Sequence, residues 1–223
     1  MLVIFLGPPG AGKGTQAARL CAARGIPHVS TGDLLRKAGE SASPVGKKAA
    51  GYMNRGELVP DDVVIQVLEE RIGQPDCGKG FLLDGFPRTL PQAQALDALL
   101  SRSGSRLDRV FYFATPEDVV VRRLSGRRVC SNTACAAVYH LQNNRPKKQG
   151  VCDRCASPLE GRSDDDEEKV KTRLSVYHKQ TTPLIAYYQR QGTLKPVEGA
   201  MDIEPLFRVI EADLDAAAGE ASA

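Results

Sequence analysis

Gly7 to Thr15 reads GPPGAGKGT, and it stands between two segments of different character. Before it, Met1-Leu2-Val3-Ile4-Phe5-Leu6 is an uninterrupted apolar run with β-branched members, the composition of a parallel strand buried on both faces. After it, Gly14 to Ala23 is rich in helix formers and is followed by Gly25, which suits a C-terminal cap. Strand, glycine loop and helix together predict a phosphate cradle. The glycines let successive backbone N–H groups converge on phosphate oxygens, and the helix N-terminus adds the positive end of its dipole. Lys13 brings a point charge to the terminal phosphates. The general pattern places Ser or Thr directly after that lysine. Here Gly14 stands there and Thr15 follows, which leaves direct Mg²⁺ ligation by Thr15 an open question. A plain glycine turn is the alternative, and the two flanks weigh against it.

The chain has 223 residues, enough for one large α/β domain or for a core with insertions. Hydrophobic residues at 42% and charged residues at 26% describe an ordinary globular protein. A net charge of +3 is too mild to imply nucleic-acid or membrane binding by itself. No apolar run approaches membrane-spanning length, and the N-terminus enters a strand without a basic region, so no secretory signal is expected. Cys21 and Cys77 are isolated, whereas Cys130, Cys135, Cys152 and Cys155 cluster. Clustered cysteines without an export signal read as metal ligands, and the expected compartment is the cytoplasm.

Further strands are predicted at 27–30, 80–84, 109–114 and 193–197, alternating with helices. Thr31 or Asp33 is expected to cap a helix beginning there, Pro44 to open a second, and Asp61-Asp62 a third. Ser163 is expected to cap a helix running to about Gln191, bent or shifted at Pro183, while Asp164 to Glu168 form its mostly solvated acidic start. The tail over 219–223 should fray. This alternation predicts an α/β fold: a five-stranded parallel sheet with helices on both faces and two insertions. The stretch GFLLDGFPR at 80–88 ends a buried strand in Asp84, placing a carboxylate where α/β sheets hold their ligands and where Mg²⁺ is organised. A simple turn cap is the alternative for Asp84. His28 and His178 read as structural.

Between 126 and 165 the pattern changes. The knuckles C-x4-C and C-x2-C lie sixteen residues apart, and four thiolates so close together suit tetrahedral Zn²⁺. The first knuckle is longer than usual. Two disulfides are the alternative, and His140 lies near enough to be a substitute ligand.

These motifs carry a family resemblance over nearly the whole chain. GPPGAGKGT at 7–15, TGDLLR at 31–36, RGELVPD at 55–61, GFLLDGFPRT at 80–89, GRR at 126–128 and RSDD at 162–165 follow one another as in adenylate kinases, and the chain resembles their long form with a metal knuckle in the lid. The resemblance implies a P-loop kinase core over 1–29, 60–125 and 166–223, a small helical AMP-binding domain over 30–59, and a zinc-ribbon-like lid over 126–165. It implies the reaction of Mg·ATP with AMP to give two ADP, a structural Zn²⁺ on Cys130, Cys135, Cys152 and Cys155, and a monomer. Gly10, Ala11, Gly12, Lys13, Gly14 and Thr15 would hold the ATP phosphates, with Arg123, Arg127, Val138, Tyr139 and Met201 also on the ATP side. Thr31, Arg36, Arg88 and Gln92 would hold AMP, with Glu57, Leu58, Val59, Gly85, Phe86 and Pro87 around it. Arg162 and Arg173 would bridge toward the transferred phosphoryl, and Asp84 would act through Mg²⁺.

Charge arithmetic points the same way. Two nucleotides bring together about six negative charges, given phosphate second pKa values near 6. Lys13 with Arg36, Arg88, Arg123, Arg127, Arg162 and Arg173 forms a suitable clamp, because arginine grips phosphate bidentately. No dedicated general base is evident, and a loose phosphoryl-transfer transition state requires none. One rival is a zinc-ribbon NTPase that binds nucleic acid through Arg127, Arg128, Arg145, Lys147 and Lys148; the segment lacks interleaved aromatics for stacking. Another is a kinase for a different nucleoside monophosphate.

Overall fold

β1 (Leu2–Leu6) is buried along its whole length, as an all-apolar strand covered on both faces must be. The computed structural model describes residues 1–40 and 44–220. Along the chain follow α1 (Lys13–Arg24), β2 (His28–Ser30), α2 (Thr31–Glu40), α3 (Pro44–Asn54), α4 (Asp61–Ile72) and a 3-10 turn (Pro75–Lys79). Next come β3 (Phe81–Asp84), α5 (Leu90–Arg102), β4 (Arg109–Ala114), α6 (Glu117–Ser125), β5 (Arg127–Cys130), β6 (Val138–His140) and β7 (Leu159–Glu160). α7 (Glu167–Val176), a π-helical turn (Tyr177–Thr181), α8 (Pro183–Arg190), β8 (Leu194–Glu198) and α9 (Ile203–Glu220) complete it. Among the described residues the main sheet has five parallel strands in the order β2-β3-β1-β4-β8. Pro196, which has no N–H to give a ladder, lies on the edge strand β8.

Alternation along β1 divides the core in two. Leu2, Ile4 and Leu6 face Leu96, Leu184 and Tyr188 on one side of the sheet. Val3 and Phe5 face Leu20, Leu206 and Ile210 on the other. The Phe5 ring packs 4.9 Å from Phe113 and edge-on to Phe111 at 5.9 Å. This double burial puts the carboxyl ends of β1 and β3, with the glycine loop and Asp84, at one rim of the sheet.

Two excursions lie beyond that rim. α2 and α3 form one, anchored by buried Leu35 and Ala49; residues 41–43 of this stretch lie outside the described residues. The other is an antiparallel sheet in the order β6-β5-β7, whose strands the sequence pattern did not predict. These strands are two to four residues long, too short for a periodicity to register.

Several local expectations are corrected. Ser30, not Thr31 or Asp33, receives the Asp33 N–H, at 3.3 Å, while the Thr31 hydroxyl donates to the Gly85 carbonyl at 2.8 Å. Asp166, not Ser163, caps α7 by accepting the Glu168 N–H at 3.2 Å. Before Pro183, where a bend or shift is expected, the helix widens into the π-helical turn. Thr182 donates to the Tyr177 carbonyl at 3.0 Å, five residues back, just before the residue that has no N–H. α9 runs to Glu220, and residues 221–223 of the tail expected to fray lie outside the described residues. Among the described residues no helix is long and apolar enough to cross a membrane.

Gly126, where the chain enters the small sheet, has φ −89°, which any residue adopts. Its smallness serves packing instead: an added Cβ would lie 2.3 Å from Nε2 of His140. That ring is held in place, its Nδ1 accepting from the N–H groups of Gln142 and Asn143 at 3.0 and 3.2 Å. Gly126→Ala should therefore destabilise the protein by about 1–2 kcal/mol, as overpacking does. Gly126→Ala/His140→Ala should recover most of that loss in urea unfolding. A single variant as stable as wild type would contradict this packing.

Candidate active site and metal centre

The loop 7–15 turns through Gly10 and Gly12 at φ +79° and +94°, values that spare a side chain's steric cost only in glycine. Its residues from Gly10 to Thr15 lead straight into α1, which starts at Lys13. Lys13 Nζ donates to the carbonyls of Gly7 and Pro8 at 2.8 and 2.7 Å. Asp84, at the end of β3, is the carboxylate that attracts the Lys13 charge, and a side chain built on Gly14 would start 3.4 Å from its Oδ2. The Asp84 carboxylate thus abuts the position where the general loop pattern has a hydroxyl. Burial works against its charge, but the His28 hydrogen bond at 3.2 Å and the Lys13 charge outweigh it and keep its pKa below the usual carboxylate range.

Around this pair stand cations from distant segments. Arg88 folds back so that its Nε donates to the Gly85 carbonyl at 2.7 Å. Only glycine fits at 85: φ is +78°, and a Cβ would come within 2.9 Å of the Arg88 guanidinium and 3.2 Å of the Thr31 hydroxyl. Arg127 grips Asp165 with Nε and Nη2 at 2.7 and 2.5 Å. Arg173 reaches Asp164 at 3.0 Å and Asp165 at 3.2 Å. Arg162 approaches Asp33 at 3.6 Å, and Asp33 is also paired with Arg36, so the two excursions meet over the rim of the sheet. Arg123 lies further along, donating to the carbonyls of Ala11, Gly199 and Ala200 at 3.3, 2.6 and 3.3 Å. Next to that anchor, Met201 packs on the core face shared with Val197 and Leu206.

A neighbouring pocket gathers Thr31, Glu57, Leu58, Val59, Gly85, Arg88 and Gln92 on its walls, with Gly32, Leu35, Met53 and Val64. Phe86 and Pro87 do not line it; Phe86 is only 1% exposed and belongs to the core. Tyr139 is likewise turned inward, its hydroxyl 3.7 Å from Cys152 Sγ and accepting the Asp153 N–H at 2.8 Å. Its neighbour Val138 is half-buried.

Residues read as local structure turn out to be partners of the cations. Asp165, expected in a solvated helix start, is 7% exposed and serves both Arg127 and Arg173. Asp33 pairs with arginines rather than capping a helix, and His28 bonds Asp84. Thr181, in the π-helical turn, donates to the Arg88 carbonyl at 2.9 Å. The RSDD motif was the sole signal for Asp165; nothing local marked Thr181.

The four cysteines come together as expected, with all Sγ atoms within 4.8 Å of one another. Cys130 lies 3.3 Å from Cys155 and Cys135 3.7 Å from Cys152, and no disulfide exists among the described residues. A tetrahedral ion with bonds of about 2.3 Å needs sulfurs roughly 3.8 Å apart, so the cage fits a metal. The longer first knuckle is absorbed by a turn, in which Ala136 donates to the Asn132 carbonyl at 2.9 Å. His140 is not a ligand, since its ring sits against Gly126. Burial pushes the Cys130 thiol up to about 12. At Cys152 burial is outweighed by the N–H groups of Arg154 and Cys155 and by the Tyr139 hydroxyl, lowering its pKa to about 6.

Comparison with known proteins decides what this geometry serves. The family model described as adenylate kinase matches residues 5–193. The chain belongs to the adenylate kinase family. It is 53% identical over 215 residues to an adenylate kinase of Archaeoglobus fulgidus, covering 96% of this chain and 98% of the relative. To those of Carboxydothermus hydrogenoformans and Rhizobium rhizogenes it is 52% and 51% identical, covering 95% and 96% of this chain and 98% and 99% of the relatives. As in that family, the P-loop fold described above carries a nucleoside monophosphate kinase, moving a phosphoryl group from ATP to AMP to give two ADP.

An adenylate kinase site built this way should announce substrate by taking up a proton. Lys13 is lowered to about 8: burial is the main cause, Asp84 pulls the other way, and Arg88, Arg173 and Arg127 add repulsion. Arg88 and Arg162 are lowered to about 10, also chiefly by burial. Phosphates bound beside Lys13 would restore the proton that burial and repulsion displace. At pH 9, where phosphate with a second pKa near 6 is already ionised, ATP binding should take up close to one proton, and at pH 7 Lys13 should contribute none. Calorimetry in buffers of different ionisation enthalpy measures this; no uptake at pH 9 would refute the assignment of that proton to Lys13.

Proposed function

We propose that residues 126–165 close as a lid over ATP held on the loop 7–15, while residues 30–59 hold AMP, and that the transferred phosphoryl passes between them beside Lys13, Arg88, Arg162 and Arg173. The observation that carries this reading is the meeting at Gly85 and Arg88 of a pocket walled by Thr31, Leu35, Val59 and Gln92 with a ring of buried cations. In it, Gly10 to Thr15 and Lys13 bind the ATP phosphates by backbone N–H groups and charge. Arg123 and Arg127 steady the ATP side, with the backbone near Val138, Tyr139 and Met201 against the nucleoside. Thr31, Arg36, Arg88 and Gln92 hold AMP, and Glu57 to Val59 with Gly85 frame its base and ribose. The side chains of Phe86 and Pro87 serve only to fix the turn that delivers Arg88.

Mg²⁺ bound with ATP would neutralise charge between the phosphate oxygens. Asp84 would orient that ion's water shell, and its lowered pKa keeps it ionised for the purpose. No residue is needed as a base, because positioning and charge supply the catalysis. Excluding water over the reacting phosphoryl keeps AMP as the acceptor. The same reading makes the protein a cytoplasmic monomer whose partners are nucleotides and not nucleic acid.

Lys13→Ala and Arg88→Ala should each cut turnover by on the order of 10³-fold while leaving the circular dichroism spectrum unchanged. Near-normal turnover in either folded variant would sink these roles.

Zn²⁺ on Cys130, Cys135, Cys152 and Cys155 would fill its coordination with protein and so be structural. The buried cluster it would staple is small: Cys130, Ala137, Tyr139 and Cys152, with Cys135 and Leu159 beside it. Chelation or Cys152→Ser should accordingly lower Tm more than it lowers turnover at moderate temperature, with one Zn²⁺ per chain by metal analysis. An apo protein of full thermal stability and no activity would make the metal catalytic instead.

A further inference from the structure

Gln92 is buried, and both ends of its side-chain amide are taken. Oε1 accepts the Arg88 N–H at 2.8 Å, and Nε2 donates to Oδ1 of Asp61 at 2.7 Å. A backbone N–H can only donate and a carboxylate can only accept, so these two partners dictate which way the amide faces. Turned over, it would set its NH₂ against an N–H and its oxygen against a carboxylate. Asp61 is itself fixed, since its Oδ2 accepts from the Thr89 hydroxyl at 3.0 Å while Thr89 caps α5. One carboxylate therefore ties the start of α4 to the start of α5 and sets the orientation of the amide between them.

After those bonds Gln92 keeps one lone pair on Oε1 and one N–H on Nε2. Both belong to a residue that lines the pocket together with Thr31, Leu35, Met53, Val59 and Val64. An apolar slot with an acceptor beside a donor is complementary to one kind of purine edge. A 6-amino purine offers a donor at N6 and an acceptor at N1; a 6-oxo purine offers an acceptor at O6 and a donor at N1. An amide free to rotate accommodates either. An amide held in one orientation matches only one in a given pose, and the mismatched base leaves buried polar groups facing like groups.

We propose that Asp61 is a positioning residue for base selection: by fixing the Gln92 amide it favours 6-amino over 6-oxo purine monophosphates as phosphoryl acceptor. This rests on the reading of the pocket as the AMP site. Asp61 touches no substrate in it and acts through Gln92.

The test compares kcat/KM for AMP and for IMP, which differ at N1 and C6 alone, in wild type, Asp61→Asn, Gln92→Leu and the double variant. Asn at 61 can meet the Gln92 amide in either orientation, which leaves the Arg88 N–H as the single group that still fixes it and loosens its hold. The AMP-over-IMP ratio should fall about tenfold in Asp61→Asn, mainly through KM for the monophosphate, with KM for ATP within about twofold of wild type; tenfold is one step of about 1.4 kcal/mol. Asp61→Ser, too short to reach Gln92, should give a similar fall and serves if the first variant folds poorly. In the Gln92→Leu background the Asp61 substitution should change the ratio no further. Equal losses for both monophosphates, an unchanged ratio, or the same fall without Gln92 would overturn the proposal. If Gln92→Leu leaves KM for AMP unaltered, the AMP-site reading fails; if it raises that KM while Asp61→Asn leaves the ratio intact, only the role of Asp61 fails.

Discussion

Like charges held close together in a partly dried cleft set the terms for the rest of this structure. Loss of water weakens the protonation of Lys13, Arg88, Arg162 and Arg173, and the neighbouring cations, Arg127 and Arg36 among them, weaken it further. Such a group would drive its own segments apart unless something opposed it. Carboxylates do so from the same neighbourhood: Asp84 for Lys13, Asp164 and Asp165 for Arg127 and Arg173, Asp33 for Arg36 and Arg162. Partly buried ion pairs roughly balance their desolvation cost, so these hold the cations in place more than they stabilise the fold. The stabilisation comes from the two apolar faces of β1 and its neighbours, which can bear a costly rim.

The need to bring cations from far apart explains why the chain leaves its sheet twice. The rim itself offers Lys13 at the start of α1 and Arg88 just beyond β3, with Asp84 at that strand's end. Arg36 arrives on α2, and Arg127 and Arg162 on the segment carrying the cysteine cage, while Arg173 comes from the helix after it. A segment with so few buried apolar residues cannot fix arginines by packing alone. The four cysteines, gathered within 4.8 Å of one another, could hold a metal there, and a metal would supply local rigidity without a large core. The contact of Arg162 with Asp33 then joins one excursion to the other across the cleft, the kind of polar closure that can open and re-form.

Much of this could be read from residues in order. An apolar strand running into GPPGAGKGT, a second buried strand ending in Asp84, and four clustered cysteines are local patterns whose physical meaning does not depend on distant parts of the chain. They determined the sheet, its loop, the alternation of strands and helices, and the cage. What the sequence could not decide is which polar side chain answers which. Asp33 and Asp165 look like helix-start acids, His28 like a strand residue, Asp61 like a dipole partner and Thr181 like one more helical threonine. Tertiary structure alone made the first two counter-ions of arginines, the third a partner of Asp84, and the last two supports for Gln92 and Arg88. The reason is physical. Burial follows from a residue's own chemistry repeated at a period, and so leaves a trace in sequence. A hydrogen bond joins two residues dozens of positions apart through a few tenths of an ångström, and only the folded chain sets that distance.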